Sequence, residues 1–439
     1  MNILQINTAD RGGGAEGSAW NLFKRYAAAG HGSILAVGQK FSDDADVVEI
    51  PRMAHGAGRP FMALSNVLRK YNRRIRGMYP LTRTLDRLAS PKRLRQFLGG
   101  YDESDFPGCR QLISRLPWRP DIIHCHNLHG WYFDLEALVD YAQICPVIVN
   151  LRDTWALTGH CAYFLDCNRW KDGCGNCPRL DAYPSCRQDR TVENLKRKAE
   201  IFMRAGVHLT VPSKWLARQV EESALCGLDC KVIPNGIDTD VFCPGDKMKA
   251  RDALDIPWNA KVVMFAAAAR KSAFKDAETL WKAMELLVAE RPDTLFLCVG
   301  IATPDKRVQG NLRCMGFVSD VSKMADIYRA ADVFWHAAKA EAFGKTVTEA
   351  MACGTPVVAS AVGGITEQVI DGESGFLASS PEDFARHTLA ILDSSEYERM
   401  SFAAADRGGQ FSLERQATAF LSWYGTLEKT MDRETSPRV

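Results

Sequence analysis

Two glutamates, Glu341 and Glu349, stand eight residues apart in the stretch Glu-Ala-Phe-Gly-Lys-Thr-Val-Thr-Glu-Ala-Met-Ala-Cys-Gly at 341–354. A helix opened by a glycine turn at Gly344 would leave the amides from Phe343 to Thr346 without carbonyl partners, with Lys345 beside them. Free amides and a cation at a helix mouth suit the phosphates of a nucleotide. One carboxylate at the mouth and a second further along the helix then suit hydroxyl groups, those of a sugar and of a ribose. The plain alternative makes Glu349 a solvated helix residue and Gly354 an ordinary C-cap.

Other residues with chemical potential are scattered along the chain. Gly12-Gly13-Gly14-Ala15-Glu16 joins an apolar run to a helical pattern, but it lacks the spacing of a dinucleotide fingerprint. In Asp121-Ile-Ile-His-Cys-His126, strand alternation puts His124 and His126 on one face and Cys125 on the other. His126 is nearer the C-terminal end, where open α/β sheets bind ligands, and is the expected contact for a donor sugar or an acceptor hydroxyl. His124 reads equally as a core or a surface histidine, and Asp153, after the next strand, is read as facing the same end. Cys161, Cys167, Cys174 and Cys177 are spaced for either a four-thiolate structural Zn²⁺ or reduced packing cysteines. Residues 51–100 hold twelve Lys and Arg but only one acidic residue, Asp86, with aromatic and aliphatic residues between them. Such a segment fits either an anionic membrane surface or a solvated helical pair capping the domain.

The elements that must position these residues alternate along nearly the whole chain. Apolar, β-branched runs fall at 2–7, 33–38, 121–126, 146–151, 207–212, 261–266, 294–300, 332–336 and 356–360, with helical patterns such as 15–29, 276–290 and 345–353 between them. Strands apolar on both faces and separated by helices predict parallel sheets buried under helices. Nine strands are many for one sheet, and the Pro-, Gly- and charge-rich stretch 242–260 reads as a linker. The expected division is a Rossmann-like domain over 1–240, with insertions at 51–100 and 153–190, a second over 250–405, and a tail over 406–439 whose helix packs across the domains. The 439 residues are 46% hydrophobic, which excludes disorder, and 55 basic against 53 acidic residues leave +2, which argues against a dedicated nucleic-acid binder. The N-terminus lacks a basic region followed by an apolar core, and no apolar run reaches about 18 residues, so an unexported, cytoplasmic chain is expected. A reducing compartment argues against structural disulfides among the 14 cysteines.

The stretch Glu-Ala-Phe-Gly-Lys-Thr-Val-Thr-Glu-Ala-Met-Ala-Cys-Gly-Thr-Pro-Val-Val-Ala-Ser resembles the signature of retaining glycosyltransferases of family 4, which reads EGFGLTLLEAMACGTPVVAS. Further segments agree in order: Gly12 to Glu16 is similar to the family's GGAE loop, Asp121 to His126 to its DVVHAH segment, Ile233 to Asp238 to PNGID, and Val362 to Glu367 to VGGIPE. The resemblance covers 1–40 and about 120–425. It implies a GT-B fold of two facing Rossmann-like domains with parallel sheets, and a nucleotide-sugar donor used without a catalytic metal or other cofactor. By the same resemblance Glu341 and the amides of Phe343, Gly344 and Lys345 hold the donor sugar and Glu349 the ribose. Gly13, Gly14 and Asn235 also belong to the donor site. Arg270 and Lys275 stand where the family has a GRL-x-x-x-KG pattern, although Ala-Ala-Arg-Lys and Asp276 depart from it. Two cations there would stabilise the departing diphosphate. The cysteine segment is similar to TGHC and GCGxCP segments of some exopolysaccharide transferases, which implies a saccharide or lipid-linked acceptor at the inner membrane face. The alternatives are a non-catalytic nucleotide-sugar-binding scaffold and a GT-B sugar-nucleotide epimerase.

Overall fold

The computed structural model describes residues 1–54, 56–72, 74–266, 274–301 and 312–435. The chain divides into two compact units: Met1–Val211 with Ala217–Lys231 and Phe420–Val439, and Pro212–Leu216 with Val232–Ala419.

The first unit is built on a seven-stranded sheet of β1 (Asn2–Ala9), β2 (Gly32–Gln39), β3 (Val47–Glu49), β4 (Ile122–Cys125), β5 (Val147–Asn150), β6 (His208–Val211) and β7 (Cys230–Val232). Its order is β3-β2-β1-β4-β5-β6-β7, with β3 through β6 parallel. The second unit has β8 (Val262–Ala266), β9 (Leu295–Val299), β10 (Leu312–Cys314), β11 (Val333–His336), β12 (Val357–Ser360) and β13 (Gly375–Ala378). These form a six-stranded parallel sheet in the order β10-β9-β8-β11-β12-β13. The expected α/β class with parallel sheets is therefore what the chain forms.

Burial on both faces explains why these strands read as continuous apolar runs. Val262 and Met264 of β8, Phe334 of β11 and Val357 and Ala359 of β12 enter one core layer. Their neighbours Val263, Phe265, Val333, Trp335 and Val358 enter the layer on the opposite face. In each sheet the strand order reverses once, between β1 and β4 and between β8 and β11. Crossovers leave in opposite directions at such a point, so the loops after those strands diverge and open a crevice at their C-terminal ends.

Within 51–100 the structure forms helices Arg59–Leu68, Met78–Leu88 and Pro91–Gly99. Five of the twelve cations turn inward. Arg52 pairs with Asp86, Arg69 with Glu49 at 3.1 Å, and Arg83 and Arg87 with Glu103 at 2.9 and 2.8 Å, while Arg93 is only 3% exposed. Arg59, Lys70, Arg74, Arg76, Lys92 and Arg95 are exposed, and Arg73 lies outside the described residues. In the last helix, Leu413–Thr435, the side chains of Ala417, Phe420, Trp423 and Tyr424 are buried.

Candidate active site

The second sheet's reversal point gathers three of the residues that matter most. Asp276 donates its amide to the Ala337 carbonyl at 3.1 Å, and Lys275 forms an isolated antiparallel bridge with Ala338. The loop after β8 is thereby tied to the loop after β11. Lys275 Nζ lies 2.9 Å from Glu341 Oε2 and 3.2 Å from Nε2 of His336, the last residue of β11. Burial, with Lys275 adding to it, lowers the pKa of His336 and leaves the ring neutral. Nε2 then accepts from the ammonium, and Nδ1 donates to Thr346 Oγ1 at 3.2 Å. Burial would raise the Glu341 carboxyl, but the adjacent Lys275 outweighs it and holds the group well below the usual carboxylate range. His336 is a residue the motifs did not single out. Its position at a strand end beside the reversal point is the signal that marks it.

Backbone contacts fix the Glu341 loop from behind. The Gly364 amide donates to the Glu341 carbonyl at 3.1 Å. A Cβ on Gly363 would sit 1.9 Å from that same oxygen, and its φ of +54° is left-handed, so only glycine is accommodated. Gly344, at φ 96°, turns the chain into the helix Lys345–Ala352, and its carbonyl accepts from the Val347 amide at 3.0 Å. Gln368 donates to the Phe343 carbonyl and accepts from Thr348 Oγ1 at 2.6 Å, which pins the turn to its helix. Glu349 accepts from the Tyr328 hydroxyl at 3.2 Å. Its burial raises the carboxyl pKa, and Lys345 opposes that shift. Tyr328 is a second partner that motif reading missed. Arg270, like Lys271, lies outside the described residues. Asn235 is buried in a segment held against the last helix, where the Gly236 amide donates to Gln416 Oε1 at 2.9 Å.

In the first unit, the loop after β1 presents Gly12, Gly13 and Gly14 exposed to solvent. Glu16 accepts from the Gly13 amide at 2.9 Å, and open space surrounds Gly14, so backbone approach here is unobstructed. The structure places His126, read from the sequence as a substrate contact, among core residues. It is 2% exposed, its Nδ1 accepts from Arg152 at 3.2 Å, and its Nε2 therefore donates to Gln5 Oε1 at 2.8 Å. Burial, with His124 and Arg152 nearby, drives its pKa well down, so the ring is a neutral core histidine with both nitrogens spent. His124 is likewise core, bonded to the Tyr424 hydroxyl at 2.7 Å. The histidine that the strand end does present is His129, in the loop after β4, with Nε2 2.8 Å from Asp153 Oδ2. Asp153 was read from the sequence, whereas its partner, three residues beyond His126, was not.

Cys161, Cys167, Cys174 and Cys177, the residues of the four-thiolate zinc reading, line one small cavity together with His160. Among the described residues no three His, Cys, Asp or Glu side chains are arranged to hold a metal ion. Cys174 Sγ accepts from the Gly159 amide at 3.2 Å, and Cys177 Sγ lies 3.4 Å from His160 Nε2. Burial raises the Cys161 and Cys177 thiols and pushes Cys174 up to about 11, and Trp170 and Phe164 line the same cavity.

Residues 12–241 match the profile of glycosyltransferase family 4, and residues 260–394 that of the glycosyl transferases of group 1. The chain belongs to glycosyltransferase family 4. Its relatives include the D-inositol 3-phosphate glycosyltransferases of Mycolicibacterium vanbaalenii, 36% identical over 44% of this chain and 47% of that protein, and of Kribbella flavida, 34% identical over 46% and 52%. The chain thus spans about half the length of the curated relatives it matches. In fold this family 4 chain is similar to sucrose-phosphate synthase from Thermosynechococcus elongatus, with TM-score 0.64 at 17% identity over 98% of this chain and 99% of that one. It is also similar to Anabaena HepE in complex with UDP, with TM-score 0.63 at 18% identity over 97% and 100%. The fold class is GT-B. In this family 4 chain, a fixed ammonium, a carboxylate held ionised and a helix mouth stand together at one sheet's reversal point. That combination suits an anionic leaving group and a hydroxylated ring.

Proposed function

We propose that the chain is a retaining glycosyltransferase that moves a sugar from a nucleotide-sugar donor to a hydroxyl of a saccharide acceptor. The observation that carries this reading is the cluster of Lys275, Glu341 and His336 beside the helix mouth at Gly344. Lys275 neutralises negative charge that develops on the departing diphosphate, together with Arg270, which the sequence places in the same loop. Such preorganised charge acts mainly on the transition state. Glu341, kept ionised by Lys275, accepts hydrogen bonds from sugar hydroxyls, and the first amides of the helix face the phosphates. Glu349, with one oxygen on Tyr328, accepts from the ribose; Asn235 and, in the first unit, Gly13 and Gly14 are the remaining residues that the family resemblance gives to the donor. The HepE structures bound to UDP and to UDP-glucose make a uridine-linked hexose the first donor to try.

Polysaccharide synthesis on a lipid-linked acceptor is the finer reading. It is supported by the likeness of the cysteine segment to that of exopolysaccharide transferases. The surface of the basic segment adds to it: Phe61, Leu64 and Val67, 39%, 49% and 58% exposed, recur on one helix near the exposed cations Arg59 and Lys70. A scaffold without catalysis has no need of an ionised carboxylate held against a lysine, and an epimerase has no need of an acceptor. Among the described residues no helix is long and apolar enough to cross a membrane, so contact with lipid in this reading is peripheral, at the cytoplasmic face.

The test is a panel of nucleotide-sugars, scored by thermal stabilisation and then by transfer with the anomeric configuration read by NMR. One donor is expected to stabilise the chain and to yield a product of unchanged anomeric configuration. Lys275→Ala and Glu349→Ala are each expected to fold and to lower turnover at least about a hundredfold. Near-normal transfer by both variants would remove the assignment.

A further inference from the structure

The basic segment and the cysteine-rich segment leave a cavity of about 350 Å³ in the first unit, a volume in the range of about 300–1,000 Å³ that holds small ligands. Its walls are Tyr79, Arg83 and Arg87 of the helix Met78–Leu88, the turn through Tyr101 and Glu103, Trp131 from the loop after β4, and Arg187. We propose that this cavity binds a neutral saccharide chain, the acceptor of the transfer. This identification rests on the glycosyl-transfer reading above.

Three features select that chemistry. The first is aromatic surface held open to solvent. Tyr79 and Tyr101 are 47% and 40% exposed, and Trp131 is half-buried at a φ of 64°. A bulky residue in the left-handed region is costly, and such strain is maintained where function requires the placement. The C–H faces of a pyranose pack on rings of this kind. The second is a set of polar groups fixed in advance. The Arg83 guanidinium lies 4.2 Å from the Trp131 ring centroid and that of Arg87 lies 3.4 Å from Phe97, and both bond to Oε1 of Glu103. Little side-chain freedom remains to be lost when a ligand arrives. The third is mixed charge. An anion would meet Glu103 and Asp102, and an apolar ligand would leave the buried Oε2 of Glu103 without a partner. Hydroxyls both donate and accept, so they satisfy both kinds of wall.

Aromatic contacts also lead out of the cavity. Trp131 lies 6.4 Å from Tyr183, centroid to centroid, and Tyr183 5.9 Å from His129, which pairs with Asp153 at 2.8 Å. That pair stands after β4 and β5, at the end of the sheet that carries the Gly12 to Gly14 loop. A saccharide seated in the cavity is thereby directed toward the end of the first sheet where its strand order reverses.

The experiment uses the full chain. Neutral oligosaccharides of glucose, galactose, mannose and rhamnose, together with inorganic phosphate and a uronate oligomer, are titrated by calorimetry. In parallel, donor-induced thermal stabilisation and donor hydrolysis by water are recorded. At least one neutral oligosaccharide is expected to bind. Tyr79→Ala and Arg187→Ala, both at exposed positions, and Thr84→Trp, which fills the cavity, are each expected to weaken it tenfold or more and leave both donor readouts unchanged. Three results overturn the cavity assignment: no neutral oligosaccharide bound, binding undiminished in all three variants, or binding of only phosphate or the uronate. With the donor readouts intact, any of these leaves the transfer reading standing. Loss of every donor readout in the unsubstituted chain would instead overturn that reading, and the cavity's identity as an acceptor site with it.

Discussion

Glu341 is the residue at which opposing effects are most closely balanced, and the balance sets a pH dependence. Its carboxyl titrates lower in the folded chain than in the unfolded one because Lys275 stands 2.9 Å away. The ionised form is thus favoured by folding, so its contribution is fully present above the unfolded value of about 4.3 and fades as pH falls toward the folded one. Glu341→Gln is therefore expected to lower the urea midpoint at pH 7, by on the order of 1 kcal/mol because solvent screens the exposed lysine. The gap should narrow at pH 3.5, and an equal gap at both pH values would show that Lys275 does not hold the carboxylate. The cysteines give a second expectation. With Cys174 raised to about 11 and its sulfur already accepting from Gly159, EDTA should leave the melting temperature unchanged. A drop of several degrees, reversed by Zn²⁺, would establish the metal reading. The glutamates and Lys275 were legible in the sequence because a motif carries them. His336 was not, because its role comes from the two loops that close over it rather than from its neighbours in the chain.

The helices and strands were legible wherever burial on both faces leaves a long apolar run. All nine runs became strands, and the ones missed, β3, β7, β10 and β13, are three or four residues long. All four lie at the edges of the two sheets, where each pairs on one side only. Such short strands owe their form to a neighbour, which no local pattern displays. The partners of His126 were hidden for a related reason. Alternation gave its face correctly, but Gln5 of β1 and Arg152 after β5, which consume its nitrogens, come from distant segments. At this scale the site depends on the loop after β12 supporting the loop after β11. Gly363→Ala would force a Cβ to within 1.9 Å of the Glu341 carbonyl at a φ of +54°, so a loss of more than about 1 kcal/mol is expected, together with weaker donor stabilisation. A thermal melt and a donor titration check both parts. Unchanged values would mean that the Glu341 loop does not need this support.

For the molecule as a whole, the near-balance of +2 hides an uneven surface. The twelve cations of 51–100 are not all available to a partner, since five turn inward. Arg69, with 18% of its side chain exposed, is bonded to Glu49 and to the Gly38 carbonyl. Among the described residues this leaves a group of six exposed cations, Arg59, Lys70, Arg74, Arg76, Lys92 and Arg95, with Phe61, Leu64, Val67, Ile75 and Leu81 exposed in the same segment. Each cation near an anionic bilayer contributes about 1 kcal/mol, and apolar side chains entering the interface add to it. Even four acting together would hold the chain at a membrane reversibly, and salt would weaken the attachment because the charges are exposed. Cosedimentation with anionic vesicles is therefore expected, with little binding to neutral ones and a decline as salt is raised. The quadruple reversal Arg59→Glu, Lys70→Glu, Arg74→Glu and Arg76→Glu should abolish it while leaving the melting temperature within a few degrees. Arg69→Glu alone should instead destabilise the fold, because it breaks internal bonds. Equal binding to neutral vesicles, or none to either kind, would make the segment a solvated cap and leave a soluble saccharide as the acceptor.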